Sequence, residues 1–174
     1  LSGFFLFKAG FLTIQHFIVA PNIEPVFAFT QNDEVDLATF PQQSGKDPIQ
    51  LQIPNHQIDL PVIPSSIING EWQVTTKGVS LLSSNIDSTN RGLILFGHDW
   101  PILLGQMRQA KIGETFFLEY RDGSQEKYLI TSVFSVTPNQ LDVLDLAKQH
   151  TVLIYTCSGF MDNTRFVVLG QLQE

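Results

Sequence analysis

The sequence predicts a mainly β domain, a closed or nearly closed barrel of about seven to eight short strands with one or two short helices. Three observations predict it. Apolar residues alternate with polar ones, or run continuously for four to six positions, in several short segments. Turn residues separate those segments at short intervals. Helical spacing is confined to one stretch late in the chain, whereas a doubly wound α/β fold needs helices between its strands.

The elements follow in order. Ile49–Ile53 alternates apolar and polar residues, the period of a half-buried strand. Pro54-Asn55 is a turn, and Gln57–Ile63 is a second strand in which Pro61 favours an edge or a bulge. Leu93–Phe96 is a continuous apolar run ending at Gly97, as in a strand buried on both faces. Thr115–Tyr120 and Lys127–Val136 flank Arg121-Asp122-Gly123-Ser124, and Asp-Gly is a strong hairpin signal. Pro138–Gln149 carries Leu141, Leu144 and Leu146 near helical spacing, with proline in a first-turn position. Thr151–Thr156 and Arg165–Leu172 complete the strands.

Composition narrows the function. With 174 residues the chain can bury a substantial core. Ten basic against seventeen acidic residues give a net charge of −7, with no Lys/Arg cluster, which argues against a nucleic-acid partner. A single cysteine excludes an internal disulfide and a cysteine-rich zinc site. His16, His56, His98 and His150 show no HxH or HExxH spacing, so no metal or other cofactor is expected.

The chain divides into three parts. Residues 1–29 are a hydrophobic segment: positions 1–20 hold thirteen apolar residues, five of them phenylalanine. A helix needs about 20 mostly apolar residues to cross a bilayer. Lys8 lies near one end, where its side chain can snorkel to the interface. A membrane anchor is the leading expectation, with a single-pass protein at the cell membrane and its domain extracytoplasmic. A cleaved signal peptide and an ordinary buried helix are the competing readings. Residues 30–48 are polar and acidic, the composition of a linker. Residues 49–174 are expected to form one compact domain, the one that carries the candidate chemistry.

Three residues at strand ends suggest chemistry. Cys157 directly follows the run Val152–Thr156, so the strand fixes its backbone where the chain exits into Ser158-Gly159. A free cysteine is also among the most buried and inert of residues. His98 follows a strand through Gly97, and a neutral imidazole can take a thiol proton and return it to a leaving amine. The competing reading is a structural or surface histidine. Asp99 is a poor orienting carboxylate for it, because adjacent residues in extended chain point apart. Arg165 opens the last strand eight positions after Cys157. Antiparallel strands joined through Ser158–Thr164 bring both to one end of the sheet, where a guanidinium can bind a developing oxyanion. An ion pair with Asp162 is the alternative.

These stretches resemble the sortases, the cysteine transpeptidases of bacterial surfaces. Gly92–His98 is similar to the family's apolar strand leading to Gly-His, and Leu153–Cys157 to its Thr-Leu-x-Thr-Cys. Arg165–Gly170 resembles its arginine-bearing final strand, and Ile53-Pro54 with Ile58–Val62 its opening segment. The likeness spans about residues 49–172. Leu153 and Ile154 depart from the family's Thr-Leu, and Asp99-Trp100 after the histidine is another departure.

The resemblance implies a sortase-like barrel and a transpeptidase that cleaves an LPxTG-like sorting signal at Thr–Gly through a Cys157 thioacyl intermediate. His98 then serves as acid and base, and Arg165 holds the oxyanion or the substrate backbone. Thr156 becomes a second substrate contact. Thr137–His150 becomes a specificity loop whose Leu141, Val143 and Leu144 line a Leu-Pro pocket, unless they are the core face of a helix. The implied partners are the sorting-signal protein, an amine from a cell-wall precursor or pilin, and the membrane. A cysteine peptidase that only hydrolyses, and a non-catalytic peptide-binding module, are the alternatives. The dispersed acids Glu114, Glu119 and Glu126 support no calcium site.

Overall fold

Period-two alternation becomes a closed sheet in the computed structural model, which describes residues 29–31, 47–69, 71–82, 92–158 and 163–174. In chain order the strands are β1 (Phe29–Gln31), β2 (Pro48–Ile53), β3 (Ile58–Ser65), β4 (Ile67–Ile68), β5 (Glu71–Val74) and β6 (Val79–Leu82). They continue with β7 (Leu93–Gly97), β8 (Thr115–Tyr120), β9 (Gln125–Val136), β10 (Thr151–Ser158) and β11 (Thr164–Leu172). Eight of them close a barrel in the order β10-β11-β9-β8-β2-β3-β6-β7, and β1-β5-β4 form a small separate sheet. Strand β10 has antiparallel β11 on one side and parallel β7 on the other.

Alternation sorts the side chains into two cores. Leu51, Ile53, Leu81, Leu95, Leu118, Ile154 and Val168 belong to a cluster that fills the barrel. Ile94, Phe96, Leu153, Tyr155 and Val167, the intervening residues of the same strands, belong to a second cluster with Trp72 and Val74 of β5. The outer face of β7, β10 and β11 is therefore covered by a second layer. This explains why β7 and β10 are apolar without interruption: both of their faces are buried.

Several expectations change in detail. Strands β4, β5 and β6 were not anticipated. In β6 all four residues are buried, because one face points into the barrel and the other lies under β5, so no alternation is visible. Its Ser80 accepts a hydrogen bond from the Thr75 amide at 3.0 Å. Pro61 lies in an interior strand of a barrel without edges. It sits where pairing with β2, over Ile58–Pro61, gives way to pairing with β6 from Val62 onward. The helix expected over Pro138–Gln149 is a 3-10 helix, Leu141–Leu146. Pro48 already belongs to β2, so the barrel begins one residue earlier than expected. The Asp-Gly hairpin closes β8 onto β9, with Gly123 N donating to Tyr120 O at 2.9 Å.

Residues 1–28 and 32–46, the bulk of the expected anchor and linker, lie outside the described residues. Phe29–Gln31, at their junction, pairs in parallel with β5. Among the described residues, no helix is long and apolar enough to cross a membrane.

One close approach inside the barrel yields a stability prediction. The β9–β11 register shifts between Leu169 and Gly170, where β9 has the extra residue Thr131. A Cβ on Gly170 would lie 2.3 Å from Cε1 of Phe116, whose ring stacks on Tyr128 at 5.2 Å between centroids. Gly170→Ala is expected to cost about 1–3 kcal/mol through overpacking. Thermal denaturation checks this, and an unchanged Tm would mean that Phe116 moves aside freely.

Candidate active site

The rim of the barrel where β7 and β10 end and β11 begins holds the three residues singled out from the sequence. Cys157 is opposite Arg165 across the β10–β11 ladder. Directly opposed side chains in such a pair have Cβ atoms about 4.5–5.5 Å apart. On the other side of β10, Thr156 is paired with Gly97 in parallel register, so His98 follows one step on, beside Cys157. Parity then decides the faces. Cys157 shares the outer face of β10 with Leu153 and Tyr155, and Arg165 shares that of β11 with Val167. His98 lies one residue beyond the end of β7, next to the Thr156–Gly97 pair. Cysteine thus occupies the central strand, with the histidine on one flank and the arginine on the other.

The surroundings restrict motion and water. Cys157 is 5% exposed and Arg165 is 4% exposed. The Arg165 Nη1 group donates to Thr164 O at 3.0 Å. The next rung pairs Ser158 with Thr164, whose hydroxyls lie 2.8 Å apart. Because β10 runs to Ser158 and β11 starts at Thr164, the connection is shorter than the expected Ser158–Thr164. Asp162, the alternative ion-pair partner of Arg165, lies outside the described residues. Asp99 turns to Arg108, with Nη1 and Oδ2 3.7 Å apart.

Thr156 and the two leucines are placed differently from one another. Thr156 is fully buried on the inner face of β10, away from Cys157, and its hydroxyl donates to Gly97 O at 2.8 Å. There the hydroxyl ties β10 to β7 at the level of His98. In the 3-10 helix Leu141–Leu146, Val143 is buried in the outer cluster and Leu144 packs partly against it. Leu144 therefore serves the covering layer at least in part, while Leu141 is exposed. A polar cleft of about 310 Å³ between Asn55, His56, Gln57, Pro101, Gln106 and Gln109 contains none of the six residues.

Tyr155 was missed. It precedes Cys157 by two residues and so shares its face, a relation visible in the strand period but hidden inside an apolar run. Its ring is buried against Trp72, with centroids 6.0 Å apart. Burial, reinforced by the nearby Cys157, pushes its phenol up to about 12, against a smaller opposing pull from Arg165. The hydroxyl therefore stays neutral through the physiological range. The Arg165 guanidinium is near enough to act electrostatically on this hydroxyl. Tyr155→Phe is expected to lower kcat on a cleavable peptide by up to about tenfold, through loss of a polar group on the same face as Cys157 and close to the guanidinium. A double mutant with Arg165→Lys tests the link. Additive losses would show that the hydroxyl acts independently of the guanidinium.

Comparison with known proteins agrees with this architecture. The family model for the Sortase domain matches residues 51–173. Sortase A of Bacillus anthracis is 26% identical over 127 residues, covering 71% of this chain and 58% of that protein. The chain thus spans a little over half the length of this curated relative. Sortase C of Streptococcus pneumoniae superposes with a TM-score of 0.62 at 19% identity, covering 84% of this chain and 80% of the other. A lid mutant of Corynebacterium diphtheriae sortase A gives 0.60 at 17% identity, covering 77% and 74%. A sortase C from Clostridium perfringens SM101 gives 0.59 at 20% identity, covering 76% and 73%. These structures share the fold, the family model covers the barrel from the middle of β2 through β11, and the chain belongs to the sortase family.

Proposed function

We propose that the protein is a cysteine transpeptidase of the sortase type, acting on an LPxTG-like sorting signal. The observation that carries this reading is Cys157 directly opposite Arg165 on one side, with His98 just past the end of the strand that pairs on the other side. The Cys157 thiolate attacks the carbonyl carbon of the Thr–Gly bond, and Arg165 donates to the oxygen that becomes negative. The C–N bond breaks as protonated His98 gives its proton to the departing amine nitrogen, leaving a thioester on Cys157. An incoming amine gives a proton to neutral His98 and attacks the thioester. Amide formation expels the Cys157 thiolate and regenerates the imidazolium, so protons and charges balance over the cycle.

The acceptor amine comes from a cell-wall precursor or a pilin, and the exposure of Leu141 supports a contact with the apolar part of the signal. The hydrophobic composition of residues 1–29 supports a membrane anchor that keeps the catalytic domain extracytoplasmic. The test incubates the purified chain with a pool of LPxTG-like peptides and triglycine, followed by mass spectrometry. An acyl adduct on Cys157 and a triglycine-joined product are expected. An adduct with only hydrolysed product would make the protein a peptidase. Silence from folded protein would favour a peptide-binding module.

A further inference from the structure

The departure Asp99-Trp100 after the histidine has no part in the reaction as written. The structure nevertheless lays the Trp100 ring on that of His98. The two rings are stacked, with centroids 4.4 Å apart and planes 9° from parallel. Trp100 is 39% exposed, so it forgoes part of the burial that an indole would gain in a core.

The loop that carries it is tightly held. Trp100 O accepts from Leu103 N at 2.9 Å and from Gly105 N at 3.0 Å, and Leu104 N donates to His98 O at 3.1 Å. A Cβ on Gly105 would lie 2.3 Å from Asp99 O and 2.8 Å from Trp100 C, so glycine is needed for the chain to turn this closely. Leu103, Leu104 and Met107, which follow, are buried in the barrel core. The indole is thus anchored from below.

We infer that Trp100 is a positioning residue for His98, whose indole face holds the imidazole against rotation and favours its protonated form. The inference rests on the proposed acid–base role of His98. The face of an indole is negative and attracts a cation, whereas its stack on a neutral imidazole lacks that component. Proton donation to the leaving amine needs the imidazolium, so the stack favours the reactive state.

Other charges near His98 are Asp99, paired with Arg108, on its own loop. From β10 come Cys157 and Tyr155, and from β11 Arg165. Across from β7 the β6 register continues to Gly78, with Lys77 next to it. Replacing Trp100 leaves all of these in place.

The test follows the Cε1–H signal of His98 by NMR against pH in the full chain, with assignment by its loss in His98→Gln. In Trp100→Leu the titration midpoint is expected to fall by about half a pH unit, and Trp100→Phe to recover most of the shift. With the minor thiolate–imidazolium pair as the reactive form and the thiol titrating above the imidazole, the acidic limb of the kcat/KM profile belongs to His98 and moves down by the same amount while the alkaline limb stays. The maximum falls about threefold, the fraction of imidazolium lost with a half-unit shift. A role confined to folding would scale the whole profile without moving a limb. If Trp100→Leu does not fold, Trp100→Met takes its place. An unchanged midpoint in folded Trp100→Leu or Trp100→Met overturns the inference. Inactivity of the wild-type chain would instead sink the proposed reaction, and the NMR titration would still decide the stack.

Discussion

Replacing Cys157 with alanine is expected to remove the acyl adduct entirely and to lower turnover at least about a thousandfold. The thiol is the single cysteine of the chain, so no other sulfur can take over. Its side chain lies at a strand end against the outer core, and losing one buried sulfur costs about 1 kcal/mol of stability. Tm therefore drops little while activity vanishes. Mass spectrometry of the protein after incubation with peptide reads the first effect, and thermal denaturation reads the second. Retained turnover in Cys157→Ala would refute the thioacyl mechanism outright.

Arg165→Lys is expected to lower kcat about a hundredfold to a thousandfold, the cost of losing one preorganised oxyanion donor. The charge is kept, but lysine offers one mobile point in place of a planar fork of donors. Arg165 is buried beside Cys157, and its Nη1 is already committed to Thr164 O. The remaining donors are thereby fixed in direction, and a flexible ammonium cannot reproduce that. KM should move much less than kcat, because the donor acts on charge that develops during reaction. Steady-state kinetics on a peptide found to be cleaved checks this. A kcat within a factor of about three would make Arg165 a structural residue of the rim, as with a surface ion pair of little energetic weight.

Much of the fold was legible because strand signals are local. Asp122-Gly123 named its hairpin, and Thr115–Tyr120 was bounded to the residue. The segments that escaped were short or hidden. Glu71–Val74 and Val79–Leu82 have four residues each, and burial of all of β6 erased the alternation that identifies a strand. Leu141–Leu146 shows near-helical spacing, but two turns of 3-10 helix satisfy the same residues once Val143 is docked on the outer core.

The candidate site was legible to a different depth. The sequence by itself determined that Cys157, His98 and Arg165 stand at strand ends, since each abuts an apolar run whose limits are read from neighbouring turn residues. Family membership was legible for the same reason: the motifs are contiguous. Which face each residue occupies was decided only by the tertiary structure. Parity along a strand is relative, and it takes the Cys157–Arg165 and Thr156–Gly97 pairings to give it a common reference. Those pairings turned Thr156 inward to Gly97 O and brought Tyr155 to Arg165. They also left the indole of Trp100 on His98, a contact set by how the following loop plugs the barrel. Strand limits depend on nearest neighbours in the chain, whereas shared faces depend on register between segments some sixty residues apart, as between Gly97 and Thr156.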